Sequence, residues 1–594
     1  MMERVFRAAI FVACLLSAGS AFAAGGSCGS IPVPSGVTSC FYISAAGADT
    51  NSGTSESSPW LHAPGMANCS NTCRSTTPAG GEGFIFRGGD TWHFGNNSAS
   101  PYTGSTASCS ANNGICNWVG SGSGSNGSPI YWGVDQTWDS SGSWTRPIIN
   151  GDNPTSSSGV SSCAYDETKD TVMNFSSVSY NVIDNFEFTG LCWNGNEENA
   201  NEFKCCTNLI SYDASQGTAS THNTIENVYI HGWTHVNFSC SLSGGEPTGS
   251  CDGANMINGT STSTAGAGDL ISHVVIDGSD TDERSGSAMV YACYDVEYSV
   301  FRYETNIVCN NAHIWHDDLV EHVNQSGDGV SHGNGAEFNV EAPSNNAFYN
   351  LVFRHLWYTG ANEVTWWETP NPGFTDYTFN FLIYDVCPAS NTSGCGANGN
   401  FFDVTNGLGT SSAGTLNAFN MTWVPTFSNA TGGPTSGTVN WINNLCIIPG
   451  GTSASSCYSG GAGTINYLTN KVQDTSAAAG QGYTSSEIYA YSPTAASNTT
   501  VGTGTNEEGL CSALLGSADP LLQAAGAACQ SDTTYACNYS TSTHSVSCPA
   551  RAAATRPASG DWDVGTYQLS GAPAQTGPQV QPPQAPTNLQ ATVH

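Results

Sequence analysis

The chain has 594 residues, with 47 acidic against 13 basic side chains and a formal net charge of −34. So acidic a surface repels nucleic acid and anionic membranes, which argues against both as partners, and it repels polyuronates unless a cation intervenes. Solubility accounts for the acidity at least as well as substrate chemistry does. Beyond the first residues no stretch is apolar for long enough to span a bilayer.

Met1 to Ala23 opens with Glu3, Arg4 and Arg7, continues through an apolar run from Ala8 to Leu16 and ends in Ala21-Phe22-Ala23. A charged start, apolar middle and small-residue end describe a removable signal peptide cleaved after Ala23, so the mature protein is expected to be secreted: extracellular, periplasmic or on the cell surface. Losing Cys14 with it leaves 22 of the 23 cysteines. An even number in an oxidising compartment favours disulfides. Cys69 with Cys73, Cys109 with Cys116, Cys387 with Cys395, Cys446 with Cys457 and Cys537 with Cys548 suit local staples, while the partners of Cys205 and Cys206 stay open. The spacings lack the two-pair pattern of structural zinc.

Residues 24–175 are expected to hold an N-terminal cap and the first turns of the fold. From 176 to 475 one short phrase returns, a polar residue followed by alternating apolar ones: Asn185-Phe-Glu-Phe, Asn227-Val-Tyr-Ile, Ser272-His-Val-Val-Ile, Ser299-Val-Phe-Arg-Tyr, Asp318-Leu-Val-Glu, Asn350-Leu-Val-Phe, Asn380-Phe-Leu-Ile, Asn420-Met-Thr-Trp, Asn444-Leu-Cys-Ile and Asn470-Lys-Val. Phrases this short cannot make a core alone and must stack on their neighbours. Their recurrence every roughly 20 to 45 residues predicts a solenoid. Coils stacked at about 4.8 Å would align Phe186, Val228, Leu351 and Phe381 in one interior file, with the polar residue at a shared corner where Asn tolerates left-handed backbone. The alternative is an antiparallel sandwich with Asn-rich turns, which the long, uneven connections disfavour. Residues 476–569 read as a C-terminal cap, and 570–594 as a Pro-, Gln- and Ala-rich tail in which Pro586–Val593 resembles the first strand of a fibronectin type III domain.

The flanks carry a resemblance. The segment from Phe41 to Trp60 (FYISAAGADTNSGTSESSPW), Phe84-Ile-Phe-Arg-Gly-Gly-Asp-Thr-Trp92, Ser128-Pro-Ile-Tyr-Trp132, Arg146-Pro-Ile-Ile-Asn-Gly-Asp152 and, near the other end, Arg556-Pro-Ala-Ser-Gly-Asp-Trp-Asp-Val-Gly-Thr-Tyr567 resemble secreted proteins of the pectin-lyase-like superfamily. The resemblance implies an all-β fold, the right-handed parallel β-helix; the protein is expected to be a monomer. It identifies a scaffold better than a reaction, because the fold hosts lyases, hydrolases, esterases and adhesins.

Titratable residues crowd between His313 and Glu337. Asp317, Asp318, His332 and His316 are the catalytic candidates, since carboxylates on adjacent coils approach the spacing of glycosidase pairs and histidine can move protons beside them. The competing reading makes them structural residues at coil corners. Arg302 and Arg354 could clamp an acidic sugar or pair internally with Glu304, Glu297 or Glu341. Of Trp366 and Trp367, adjacent on a strand, one is expected in the core and the other against a glycan. Asp328 and Glu337 offer hard oxygen ligands for Ca2+. Asp317-Asp318 and Ser331-His332-Gly333 look like echoes of polygalacturonase motifs, but no Arg-x-Lys follows; a lyase mechanism would need Arg302, Arg354 or a histidine. The function expected is cleavage of extracellular polysaccharide, by a glycoside hydrolase or polysaccharide lyase, with a non-catalytic adhesive or carbohydrate-binding protein as the alternative.

Overall fold

The computed structural model describes residues 26–29, 31–93, 107–108, 115–154, 161, 170–193, 208–212, 220–235, 241–243, 246–248, 255–259, 268–278, 288–291, 294–303, 307–310, 312–321, 336–338, 345–354, 365–367, 374–384, 402–403, 414–424, 436–458, 460–484, 489–533, 538–540, 545–547 and 553–569. The signal segment, the 570–594 tail, His332, Asp328, Glu304, Glu341, Cys205 and Cys206 lie outside them.

The coils of the central region visit three sheets in turn. Ile307–Asn310, Ile314–His316 and Leu319–Glu321 make one coil; Ala336–Phe338, Asn345–Tyr349 and Val352–Arg354 make the next. Among the described residues, stacking gives sheet I with ten strands, sheet II with thirteen and sheet III with twelve, and the pairing between coils is parallel. Parallel strands joined by crossovers wind right-handed, so the chain is a right-handed parallel β-helix.

The predicted interior file is present: Phe186, Val228, Leu351 and Phe381 all lie buried in the main core. Sheets II and III add Ile183, Ile225, Ile271, Val296, Trp315 and Phe348, and Ile230, Ile276, Phe301, Val320 and Phe353. The opening segments meet as rings, with Phe41 stacked on Trp60 at 4.9 Å and Phe84 on Trp132 at 4.3 Å. Of the expected disulfides, Cys69–Cys73 and Cys446–Cys457 are formed. Cys28–Cys40 and Cys511–Cys529 join them, and the other three proposed pairs involve cysteines outside the described residues.

The C-terminal segment folds back along the helix. Helices Glu508–Leu515 and Pro520–Cys529, tied by Cys511–Cys529, pack with Trp562 on the outer face of sheet II over Ile314, Tyr349, Phe379 and Phe419. Ala490 and Tyr567 cover Val300, Leu319, Val352 and Leu382 on the outer face of sheet III.

Candidate functional site

The turn from sheet II to sheet III is two residues long in every coil from Asp184–Glu187 to Leu468–Lys471. Its first residue is left-handed each time, at Asn185, Asn227, His273, Tyr298, Asp317, Asn350, Asn380, Asn420, Asn443 and Thr469, with φ between 50 and 64°. Asn dominates because its short amide tolerates this backbone and bonds to its neighbours. In half the coils the left-handed residue is one place away from the polar residue expected to lead. Asp318, for example, is the second residue of its turn, in step with Phe186, Val228 and Leu351.

That offset decides the roles of the Asp317-Asp318 pair. Asp318 is buried in the helix interior, where it accepts the Ser299 backbone N–H and the Trp315 indole N–H, each at 2.5 Å, and burial pushes its carboxyl well up. It is a structural acceptor on an inward file, not a groove residue. Asp317 occupies the corner, accepting from Asn350 Nδ2 at 2.9 Å and from His316 Nδ1 at 2.6 Å.

His316 lies on the outer face of sheet II in a register column that reads Asp184, Glu226, Ser272, Glu297, His316, Tyr349, Phe379, Phe419. Its Nε2 stands 3.5 Å from Glu297 and 3.7 Å from Asp295. Burial opposes its charge, yet Asp317, Glu297 and Asp295 outweigh burial and raise it to about 10, so it is an imidazolium at neutral pH. Burial lifts Glu297 to about 7.

Arg302 and Arg354 sit on sheet III, in a column that alternates in sign: Asp277, Arg302, Glu321, Arg354. All four are buried, with Arg302 3.4 Å from Asp277 and Arg354 3.3 Å from Glu321. Internal pairing is realised with these two carboxylates, while Glu304 and Glu341 lie outside the described residues. Asp317, Asp318 and Arg354 therefore occupy a corner, the interior and a third face, and do not converge in one groove.

Sheet I brings a different set together. The Trp118 ring packs on Trp132 and Phe186 inside the helix, so its column, through Met173, Ile210, Ile257, Val290 and Cys309, is the inward one. The next residue of each strand takes the opposite parity and stays in register from coil to coil: Asn174, Ser211, Asn258, Tyr291, Asn310, Glu337, Trp366, Asp403. Trp367, one residue on, takes the opposite parity. Glu337 and Asp403 are two strand steps apart, about 10 Å along the helix axis, with Trp366 between them. Variation in coil length also collects here. The connections beginning or ending at sheet I strands range from residues 311–313 to 232–254, whereas the II-to-III turn keeps its two residues. Long loops beside a rigid sheet are where binding residues concentrate.

The sequence singles out Glu337 and Trp366 but not Asp403, although Asn400-Phe401-Phe402-Asp403 carries the same Asn-led apolar phrase; register sets it beside Trp366. Among the described residues no group of three or more His, Cys, Asp or Glu side chains is placed to hold a metal ion, and no step below is assigned to calcium. No described helix is long and apolar enough to cross a membrane.

No protein-family model and no curated relative matches the chain. Among solved structures it is similar to the GH136 lacto-N-biosidase from Eubacterium ramulus (10% identity, 73% of this chain and 68% of the other, TM-score 0.44). It is also similar to a rhamnogalacturonan lyase (13%, 73% and 87%, 0.34) and to PfbA, a surface adhesin of Streptococcus pneumoniae (9%, 67% and 79%, 0.31). By its own strand order and register, the chain is a right-handed parallel β-helix protein.

Proposed function

We propose that the protein is exported and cleaves the glycosidic bonds of a polysaccharide laid along the outer face of sheet I. The observation that carries this reading is the register column in which Glu337 and Asp403 flank Trp366. Two carboxyl residues about 10 Å apart along the backbone can bring their acid groups into the ~6.5–9.5 Å range that leaves room for a water between acid and base, the geometry of inverting hydrolysis. One carboxylic acid protonates the leaving oxygen while the other carboxylate takes a proton from the attacking water. Trp366 offers an indole for a sugar ring, and Asn310 and Tyr291 extend the column with hydrogen-bonding groups.

A neutral glycan suits the electrostatics better than a polyuronate. The net charge is −34, and Arg302 and Arg354 are engaged with Asp277 and Glu321. The same engagement favours hydrolysis over β-elimination, which needs a base beside a neutralised uronate. Export is supported by the signal-like opening and by the disulfides. The second reading, a glycan-binding protein without catalysis, is favoured by the placement of Asp317, Asp318 and Arg354 on separate faces. Incubation with a panel of neutral and acidic glycans separates the readings. New reducing ends without ultraviolet absorbance of an unsaturated product support hydrolysis, that absorbance indicates a lyase, and retention without cleavage indicates binding alone.

A further inference from the structure

Arg556 lies in the C-terminal segment and is buried, its guanidinium 5.0 Å over the Trp562 ring. Nη1 donates to the Cys529 and Ser531 carbonyls at 2.9 and 2.6 Å, and Nη2 donates to Asn380 Oδ1 at 2.6 Å. Asn380 Nδ2 donates to Asn350 Oδ1 at 2.9 Å, and Asn350 Nδ2 donates to Asp317 Oδ1 at 2.9 Å. A guanidinium can only donate and a carboxylate can only accept, so the chemistry of the two ends fixes which way both amides point. The chain is cut on its other side. Asn420 turns its Nδ2 to the carbonyls of Asp563 and Gly565, at 2.8 and 3.2 Å, while Asn443 donates to Asn420 Oδ1 at 3.3 Å. The C-terminal segment thus interrupts the corner ladder between Asn380 and Asn420 and drives its earlier half with a cation.

We infer that Arg556 is a positioning residue for the His316 cluster, acting through the Asn380–Asn350–Asp317 chain to couple docking of the C-terminal segment to the charge of a histidine two coils away. Asp317, supplied with a donor on Oδ1, presents Oδ2 to His316 Nδ1 and leaves Nε2 toward Glu297 and Asp295. The groups facing His316 are these three carboxylates, the Tyr349 ring stacked at 4.7 Å and the edge-on Tyr298 ring at 5.9 Å. Chains of this kind polarise along their length. The coupling is reciprocal: what discharges His316 weakens the hold on the C-terminal segment.

The test is a histidine NMR titration of the full chain and its variants. Arg556→Met and Asn350→Gly, the latter compatible with the left-handed corner, are each expected to lower the His316 midpoint by about one pH unit, and the double variant by no more than either alone. Asn420→Gly, on the far side of the interruption, should leave it in place. Unchanged midpoints in folded Asn350→Gly, or shifts from Arg556→Met and Asn350→Gly that add in full, would overturn the inference. Should Arg556→Met fail to fold, Asn380→Gly probes the same link, and an unmoved midpoint there counts equally against it.

Discussion

The His316 imidazole lies flat on the Tyr349 ring, with centroids 4.7 Å apart and planes 4° from parallel. This contact divides the outer column of sheet II into an acidic half, Asp184 to Glu297, and an aromatic half that the C-terminal helices cover. A charged imidazolium satisfies both sides, bonding to carboxylates at its edge and to a π face below.

Stability should therefore fall as pH rises. Burial raises Asp184, Glu226, Asp269, Asp295 and Asp318, and lifts Glu297 to about 7. A carboxyl raised on folding stabilises fully below its unfolded value, about pH 4, and that contribution is lost as pH climbs through the folded value. His316, raised to about 10, has the same sign: full below about 6.5, lost as pH rises through 10. Asp519, held low by its hydrogen bond from His313, acts in the opposite sense and only on acidification. Urea midpoints are expected to be higher at pH 5 than at pH 8, and Glu297→Gln should flatten the slope between about pH 4 and 7. A midpoint that rises steadily over that range would contradict the assignment.

The corner ladder makes a separate prediction. Asn420 has φ 50° and donates to the Asp563 and Gly565 carbonyls. Asn420→Ala both strains the left-handed backbone and leaves buried carbonyls unpaired, at a cost of about 2–4 kcal/mol. Asn420→Gly removes the strain and should recover part of the loss. Equal loss in the two variants, measured by chemical denaturation, would mean that backbone conformation contributes nothing.

Asp318 should matter for stability and not for chemistry. Asp318→Leu leaves the Ser299 N–H and the Trp315 indole N–H without their acceptor, an expected loss of about 2–4 kcal/mol. The folded fraction should cleave glycan at the wild-type rate. Stability within error of wild type, or a selective loss of turnover, would move Asp318 back among the catalytic candidates.

These residues show what the sequence made legible. The solenoid and its interior file were readable because Phe186, Val228, Leu351 and Phe381 recur beside Asn, and period-two burial leaves a visible trace. Assigning Asp317 and Asp318 between corner and interior required register, since a one-residue shift changes a corner residue into a core one. Asp403 was invisible for the same reason: its relation to Glu337 crosses 66 residues of chain and exists only once strands pair. The crowding of charges around His316 was plain in the sequence, but crowding records a local ion network as readily as a groove.

The most direct measurement compares reducing-end release by the wild-type protein, Glu337→Gln and Asp403→Asn on whichever neutral glycan the panel identifies. Both variants should keep the fold, as judged by circular dichroism, and retain glycan binding while turnover falls by about 10²–10⁴-fold. Undiminished turnover in both folded variants would contradict the claim that sheet I carries the reaction.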